Sequence, residues 1–505
     1  MKIKNVYKLA LLCVFLVFGT FTAMAQQVPE KDDAIRTSPG LIKVDPSLGQ
    51  SLTNSKSVIQ QNLKLAPNND LKLETQEVDQ LGFTHQRFQQ TYKGVPVAFA
   101  KPTVHAKDGK VTTISGEFYD IKEMSVEPQL NASSAFAKAI AHTSASSYLW
   151  EDVDASRELG YEKPSGELLL LPLFEGDKVT VKLAYKFEIF TIVPLGGGDL
   201  YIDAVDGRAL FFNNRVLHLD NFGHDGRALS TETAGEVLGA EAIVETFEDY
   251  VAGSAATRYS GTRTIETTAA GSNFTLNDAG RSVFTRNANN LAPSGSSLPY
   301  ITNYTEFTDG DNNWIEYDNP AKDNAALDAH WGAMQTYDYW LNVHNRDSYD
   351  DAGAQLRSYV HVDNNYDNAF WFLSVMSYGD GSSNGSEGSG FFDALTSLDV
   401  AAHEIGHAVT QFTANLAYQR ESGALNEGYS DIWGAAVEHF AKGNGIDSAP
   451  SAEIWLIGDE IDRRTGSAAL RSMSDPKSLG QPDTYGGSFW INPNCGTPTQ
   501  SNDYC

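Results

Sequence analysis

His403-Glu404-Ile405-Gly406-His407 constrains this chain more than any other five residues. Side chains four apart share one face of a helix, so the two imidazoles can aim at one point. Leu398, Ala401, Ile405, Ala408, Val409 and Phe412 recur at helical steps with no proline among them. The spacing predicts a helix between Ser397 and Leu416, with Ser397 as its cap. Two histidines around a glutamate in this order form a zinc-binding pattern in which the glutamate is the base and not a ligand. Buried structural histidines would give the same five residues, so a third ligand has to decide.

That ligand is offered between Ala424 and Phe440, a second helical pattern with Leu425, Ile432, Val437 and Phe440 apolar and Gly443 as a stop. Glu427 and Asp431 are again four apart. Glu427 can ligate a metal, which in a catalytic zinc site has three protein ligands and one open position. Asp431 can accept the N–H of a ligand imidazole and fix its tautomer. A solvated acidic helix face explains the two carboxylates but not their company.

Taken together these residues resemble the thermolysin-like family of zinc endopeptidases. Nineteen residues separate His407 from Glu427, as in that family, and related zinc aminopeptidases place the glutamate one residue closer. The resemblance continues through Asp328 to Asp350, Asp367 to Trp371 and Leu470 to Pro476. It implies zinc on His403, His407 and Glu427, Glu404 as the acid–base residue, and Tyr418 as a donor to the oxyanion. It further implies that Asp431 and Asn426 hold the ligands, that Asn368 and Ala369 form a sheet edge where substrate adds as a strand, and that Arg471 holds the substrate backbone. Phe370 and Trp371 either extend that wall or are core aromatics. Calcium is implied at Asp399, Glu438 and Asp459. Ile454 and Leu456 stand where two further acids belong, which favours one ion over two. Cleavage before large apolar residues is implied as well.

The rest of the chain sets the context. Lys2, Lys4 and Lys8, the apolar run Leu9 to Phe21, and Ala23-Met24-Ala25 read as an export leader over residues 1–25, and no other segment reads as a membrane span. A net charge of −28 argues against nucleic-acid or anionic-membrane partners and favours solubility, while a secreted monomer acting on proteins and peptides is what the resemblance implies. Alternation at Val95, Val97 and Phe99, a hairpin at Lys107-Asp108-Gly109-Lys110, a helix around Ala135 to Ala141, and strands at Val181 to Ile192 and Leu200 to Phe212 indicate an α+β fold. Residues 26–125 and 126–215 resemble two propeptide modules, expected to assist folding of the enzyme and inhibit it. Residues 216–251 read as a connector cut on maturation, near Val251, and residues 252–396 as a β-rich half of the peptidase. Gly379 to Gly390 reads as a flexible loop.

Residues 397–505 read as an incomplete zinc-binding helical portion. Cys495 and Cys505 are a candidate disulfide, or two free thiols. Asp503 stands where the family has an aspartate that orients an oxyanion histidine, and the sequence runs only to Cys505. The expectation is therefore a chain that stops before the family's C-terminal helical half, with weak activity and uncovered apolar faces on both helices. The rival reading is a catalytically silent secreted binding or adhesive protein, or an inactive fragment, on the same scaffold.

Overall fold

A computed structural model describes residues 41–79, 81–175, 178–218, 250–443 and 448–491. The leader, Asp503, both candidate disulfide cysteines and most of the connector lie outside these residues. Among the described residues no helix is long and apolar enough to cross a membrane. The chain divides into two compact units, residues 1–125 with 171–182, and residues 126–170 with 183–505.

The first unit is built on an antiparallel sheet in the order Leu41–Lys43, Lys110–Ser115, Thr103–Lys107, Phe83–Tyr92, Asn69–Val78. Buried and half-buried residues alternate along Phe83–Tyr92, as one-sided burial of a strand requires. The inner face packs Leu71, Phe88, Val104, Val111 and Ile114 against Val58 and Ile59 of the Ser55–Leu63 helix. The expected hairpin is present, with Lys107 opposite Lys110. The alternation at Val95, Val97 and Phe99 is not one strand. Val95–Pro96 pairs with Phe83–Tyr92, Val97 adds one bridge by donating to the Gln90 carbonyl at 2.9 Å, and Phe99 sits at φ 62° in a turn that re-aims the chain.

The second unit opens with a helix, Ala132–Thr143, capped by Asn131 Oδ1 accepting from the Ser134 N–H at 2.8 Å. A sheet follows in the order Ala209–Asn214, Gly196–Asp203, Lys178–Val193, Ser147–Tyr148. Beyond the connector come short strands, the long Asn324–His344 helix, and a seven-stranded mixed sheet. Its edge runs Val216–His218, then Ala369–Phe372, Val375–Tyr378 and Leu356–Val360. Val216–His218, expected within the connector, is thus a strand of this sheet. Residues 379–390 contain neither helix nor strand.

Two helices, Leu398–Phe412 and Arg420–Lys442, come next, followed by a two-stranded sheet of Leu456–Ile457 and Arg471–Ser472. The two helices approach so closely that glycine is needed at the crossing. A Cβ on Gly434 would come 2.7 Å from the Asp399 carbonyl oxygen, and one on Gly406 would come 3.1 Å from Ser430 Cα. Leu398, Ala401, Ile405 and Ala408 are buried among Trp371, Leu327 and Ala329, so the helix face read from periodicity is the core face. Phe412, Leu425, Tyr429 and Ile432 are exposed. Ser397 stands at the N-cap, but its hydroxyl donates to Asp399 Oδ1 at 2.5 Å and makes no cap bond. Asp399 takes the first-turn role by accepting from the Val400 N–H at 2.9 Å.

Candidate metal centre

The helix pair brings His403, His407 and Glu427 together. One ligand atom from each lies within 4.8 Å of the others, and among the described residues no other histidine, cysteine or acidic trio does so. His403 Nε2 is 3.3 Å from Glu427 Oε2, and His407 Nε2 is 3.6 Å from Glu427 Oε1. Both imidazoles are fully buried. Their other nitrogens are spoken for: His403 Nδ1 donates to Asp431 Oδ1 and His407 Nδ1 to Asn426 Oδ1, each at 2.8 Å. Ser430 Oγ also lies 3.0 Å from His407 Nδ1. Each ring therefore turns its Nε2 inward, where neither has a hydrogen-bond partner among the described residues. Buried polar atoms without partners are costly, and a bound cation would meet them. Two imidazoles and a carboxylate are a donor set that suits zinc.

Charge in this pocket is unevenly held. Burial pushes His407 down to about 4, mainly against the pull of Glu427. For His403 burial acts the same way, but Asp431 and Glu427 outweigh it and raise the imidazole to about 9. Burial works to raise Glu427, yet His407, His403 and Arg471 hold it below the ordinary carboxylate range. Asp431 is held well below its range despite burial, chiefly by Arg471 and His403. Glu404 is fully buried between the two histidines, and burial raises its carboxyl to about 8.

Other predicted residues fall as follows. The Tyr418 hydroxyl donates to Glu427 Oε1, and its backbone N–H donates to Asn213 Oδ1 at 2.7 Å. Arg471 forms a two-point pair with Asp431, at 2.7 Å from Nε to Oδ2 and from Nη2 to Oδ1. It thus stands behind His403. Ala369 lies on the strand Ala369–Phe372 and Asn368 just before it, with Asn368 Nδ2 3.3 Å from His218 Nδ1. Phe370 and Trp371 are fully buried. Asp399, Glu438 and Asp459 do not converge as His403, His407 and Glu427 do. Asp399 Oδ2 accepts from the Gly458 N–H at 2.6 Å. Glu438 Oε1 is 3.1 Å from Lys442 Nζ, which also reaches Glu460 Oε2 at 2.8 Å. Sequence reasoning missed Lys442 and Glu460. The four-residue step from Glu438 to Lys442 was a signal for that pair.

Two buried imidazoles and a carboxylate, with the buried Glu404 on the same helix, are a donor set of the metallohydrolase type. The family model described as thermolysin metallopeptidase, catalytic domain, matches residues 252–411. The thermolysin metallopeptidase alpha-helical domain matches residues 414–502, and the fungalysin/thermolysin propeptide motif matches residues 69–118. The bacillolysin of Brevibacillus brevis is 37% identical over 416 residues, covering 79% of this chain and 63% of that protein. The thermostable neutral protease NprT of Geobacillus stearothermophilus is 35% identical over 422 residues, covering 82% and 68%. A solved structure, the precursor of protealysin, a metalloproteinase from Serratia proteamaculans, is 31% identical with a TM-score of 0.29, covering 38% of this chain and 53% of that one. This chain belongs to the thermolysin family of metallopeptidases.

One expectation is corrected here. The chain does not stop before the helical half, because that domain's match begins at residue 414 and takes in the whole Arg420–Lys442 helix. The error lay in counting this helix as part of the zinc portion and looking for the helical half beyond it.

Proposed function

We propose that this chain is the precursor of a secreted zinc endopeptidase that hydrolyses peptide bonds within proteins, before large apolar residues. The observation that carries the proposal is the pair of buried, unpartnered Nε2 atoms facing Glu427 with Glu404 between them. When bound by His403, His407 and Glu427, zinc would supply Lewis-acid activation of water and of the scissile carbonyl. Glu404 takes the attacking water's proton and delivers it to the leaving nitrogen. A carboxyl raised towards neutral pH by burial is suited to both tasks. Tyr418 turns from Glu427 to donate to the oxygen that gains negative charge. Arg471, through Asp431, keeps the His403 ring in place. Asn368 and Ala369 offer backbone groups to an extended peptide, whose main chain gives sequence-tolerant affinity.

The segment before the peptidase half acts as folding aid and inhibitor, and export depends on residues 1–25 as leader. The maturation cut falls within residues 216–251, and Cys495 pairs with Cys505. A single calcium ion is proposed at Asp399, Glu438 and Asp459, where Glu438 Oε2 is a buried oxygen without a hydrogen-bond partner among the described residues. Metal analysis with casein cleavage, before and after maturation, tests the central proposal. One zinc per chain and cleavage on maturation are expected. A matured, zinc-loaded chain that binds casein without cutting it would instead support the silent binding protein.

A further inference from the structure

His85 and His105 stand directly opposite each other in the first unit's sheet, on the antiparallel strands Phe83–Tyr92 and Thr103–Lys107. Their chain neighbours Gln86 and Val104 are buried, and Val104 belongs to the core, so strand alternation puts both imidazoles on the outer face. The His85 side chain is 23% exposed, enough for an ion to reach it from solvent. The two rings cross at 72° with centroids 4.9 Å apart, and their Nδ1 atoms are 2.6 Å from each other.

Each ring is held at its other nitrogen. His85 Nε2 lies 3.2 Å from Asp79 Oδ2, while Asp79 Oδ1 accepts from the N–H groups of Leu81 at 2.9 Å and Phe83 at 2.7 Å. The Phe83 N–H is the main cause that holds the Asp79 carboxyl below the ordinary range, so the group stays charged and can only accept. His85 Nε2 therefore carries a hydrogen, which leaves a lone pair on Nδ1 of the neutral ring. His105 Nε2 lies 2.7 Å from Ser115 Oγ, and a hydroxyl can donate or accept. Burial, and then the charge of His85, lower the His105 imidazole and keep it neutral.

Between two neutral rings this close, one hydrogen has to lie between the Nδ1 atoms, and it comes from His105. When that hydrogen moves to Nε2, Ser115 turns from donor to acceptor and that contact is kept. Two lone pairs then face one point, and a cation can replace the hydrogen with no net proton release. A carboxylate on the far nitrogen, as Asp79 is on His85, is how metal-ligating imidazoles are oriented. Two nitrogens about 2.0 Å from one ion stand about 2.8 Å apart at a right angle and about 3.3 Å apart at the tetrahedral angle. The observed separation of 2.6 Å is nearer the first, the geometry of square-planar Cu²⁺, which also binds nitrogen ligands ahead of its divalent neighbours. The one ammonium nearby, on Lys107, is turned to the Leu81 carbonyl and the Phe83 ring, and Glu77 opposite His85 adds a carboxylate to the same row.

We propose that His85 and His105 form a second metal site, a surface chelate for Cu²⁺ that ties two neighbouring strands of the first unit together. Solvent would fill the remaining positions, since among the described residues no third histidine, cysteine or acidic group converges with the pair. The proposal does not depend on the peptidase reading.

The test titrates Cu²⁺ into the full, zinc-loaded chain carrying Glu404→Gln, so that it cannot process itself, with zinc content read alongside. One Cu²⁺ per chain should bind with the zinc retained. Asp79→Ala should weaken it about tenfold, and His85→Gln or His105→Gln by more, since an orienting carboxylate alone accounts for about 10- to 100-fold. His142→Gln, at an exposed histidine on the Ala132–Thr143 helix, should leave it unchanged. Should the sheet variants fail to fold, hydrogen exchange on the unsubstituted strands decides, and Cu²⁺ should slow it at residues 83–87 and 103–107. Folded His85→Gln and His105→Gln chains with unaltered Cu²⁺ affinity, exchange that Cu²⁺ leaves unchanged, or copper taken up only as zinc leaves would each overturn the proposal.

Discussion

His361 and His407 are buried histidines of the same compact unit, and they are satisfied in opposite ways. His361 has a carboxylate at each nitrogen, Asp380 Oδ1 at 2.6 Å from Nδ1 and Asp323 Oδ1 at 3.3 Å from Nε2. A carboxylate on each side favours the charged ring, so the imidazole is held as its cation. His403 is placed like it, with Asp431 Oδ1 at Nδ1 and Glu427 Oε2 3.3 Å from Nε2. His407 donates from Nδ1 to the neutral Asn426 amide oxygen, and burial pushes it down to about 4, so its Nε2 stays an acceptor. The acidic cluster at Glu438 lies between the two cases, since the Lys442 ammonium sits on Glu438 Oε1 and Glu460 Oε2 while Glu438 Oε2 has no hydrogen-bond partner among the described residues. Burial of ionisable groups therefore does not itself mark a metal site. What marks one is burial that the protein's own charges leave uncompensated.

The largest effect that would break this comparison is at the centre itself. Glu404→Ala should leave zinc content intact and lower turnover by about 10²- to 10⁴-fold, the range for a positioned acid–base group. His403→Ala should lose the metal as well. Metal analysis beside casein hydrolysis separates the two, and near-normal hydrolysis by Glu404→Ala would show that the base is elsewhere.

Lys442→Ala tests the self-compensated cluster. Burial together with the charge of Asp399 raises Glu438 to about 8, with Lys442 opposing. Burial and the charges of Asp399 and Glu460 raise Asp459 to about 7. Removing the ammonium from such a group should destabilise the fold by about 3–5 kcal/mol. Millimolar calcium should then restore more stability to the variant than it adds to the wild type. Equal calcium gains in thermal melts would mean that Lys442 is not standing in for a cation.

His361 supplies a pH test. Burial alone would lower its imidazole, but Asp323 and Asp380 outweigh it and raise it to about 9. The unfolded value is about 6.5. A histidine raised on folding stabilises fully below the unfolded value, and that contribution is lost as pH rises through the folded one. The difference corresponds to about 3 kcal/mol. Denaturant melts should accordingly show His361→Gln most destabilised near pH 6, with the gap to wild type closing above about pH 9. A gap that is flat across this window would rule out the imidazolium.

The parts of this site legible in the sequence are those that local geometry fixes. His403 with His407, and Glu427 with Asp431, are each one helical turn apart, so a periodic pattern places them on a face before any fold is known. The α+β class and the two helices were legible for the same reason. Arg471 was not legible as the partner of Asp431, because forty residues and a change of chain direction separate them. Val216–His218 is three residues long, too short for alternation to appear, and only pairing with Ala369–Phe372 makes it a strand. Where two local cues competed, the stronger acceptor won, as Asp399 did over Ser397 at the helix start.

The smallest effect sharpens the comparison from outside the ligands. Like His361, His403 has a carboxylate at each nitrogen, but the one at Nδ1, Asp431, is shared with Arg471. The Arg471 fork takes up Asp431's charge at two points, so Asp431 acts on His403 as a half-neutralised acceptor that orients the ring and leaves Nε2 available. Asp431→Asn should keep one acceptor for the Nδ1–H and lose the pair with Arg471, weakening zinc about 10- to 100-fold with the fold intact. Arg471→Lys should weaken it less, since an ammonium keeps the charge but not the fork. Competition with a chromophoric chelator measures both. If Arg471→Lys proves the more damaging, the arginine acts on something other than Asp431, and the substrate-backbone role implied by the family becomes the better account of it.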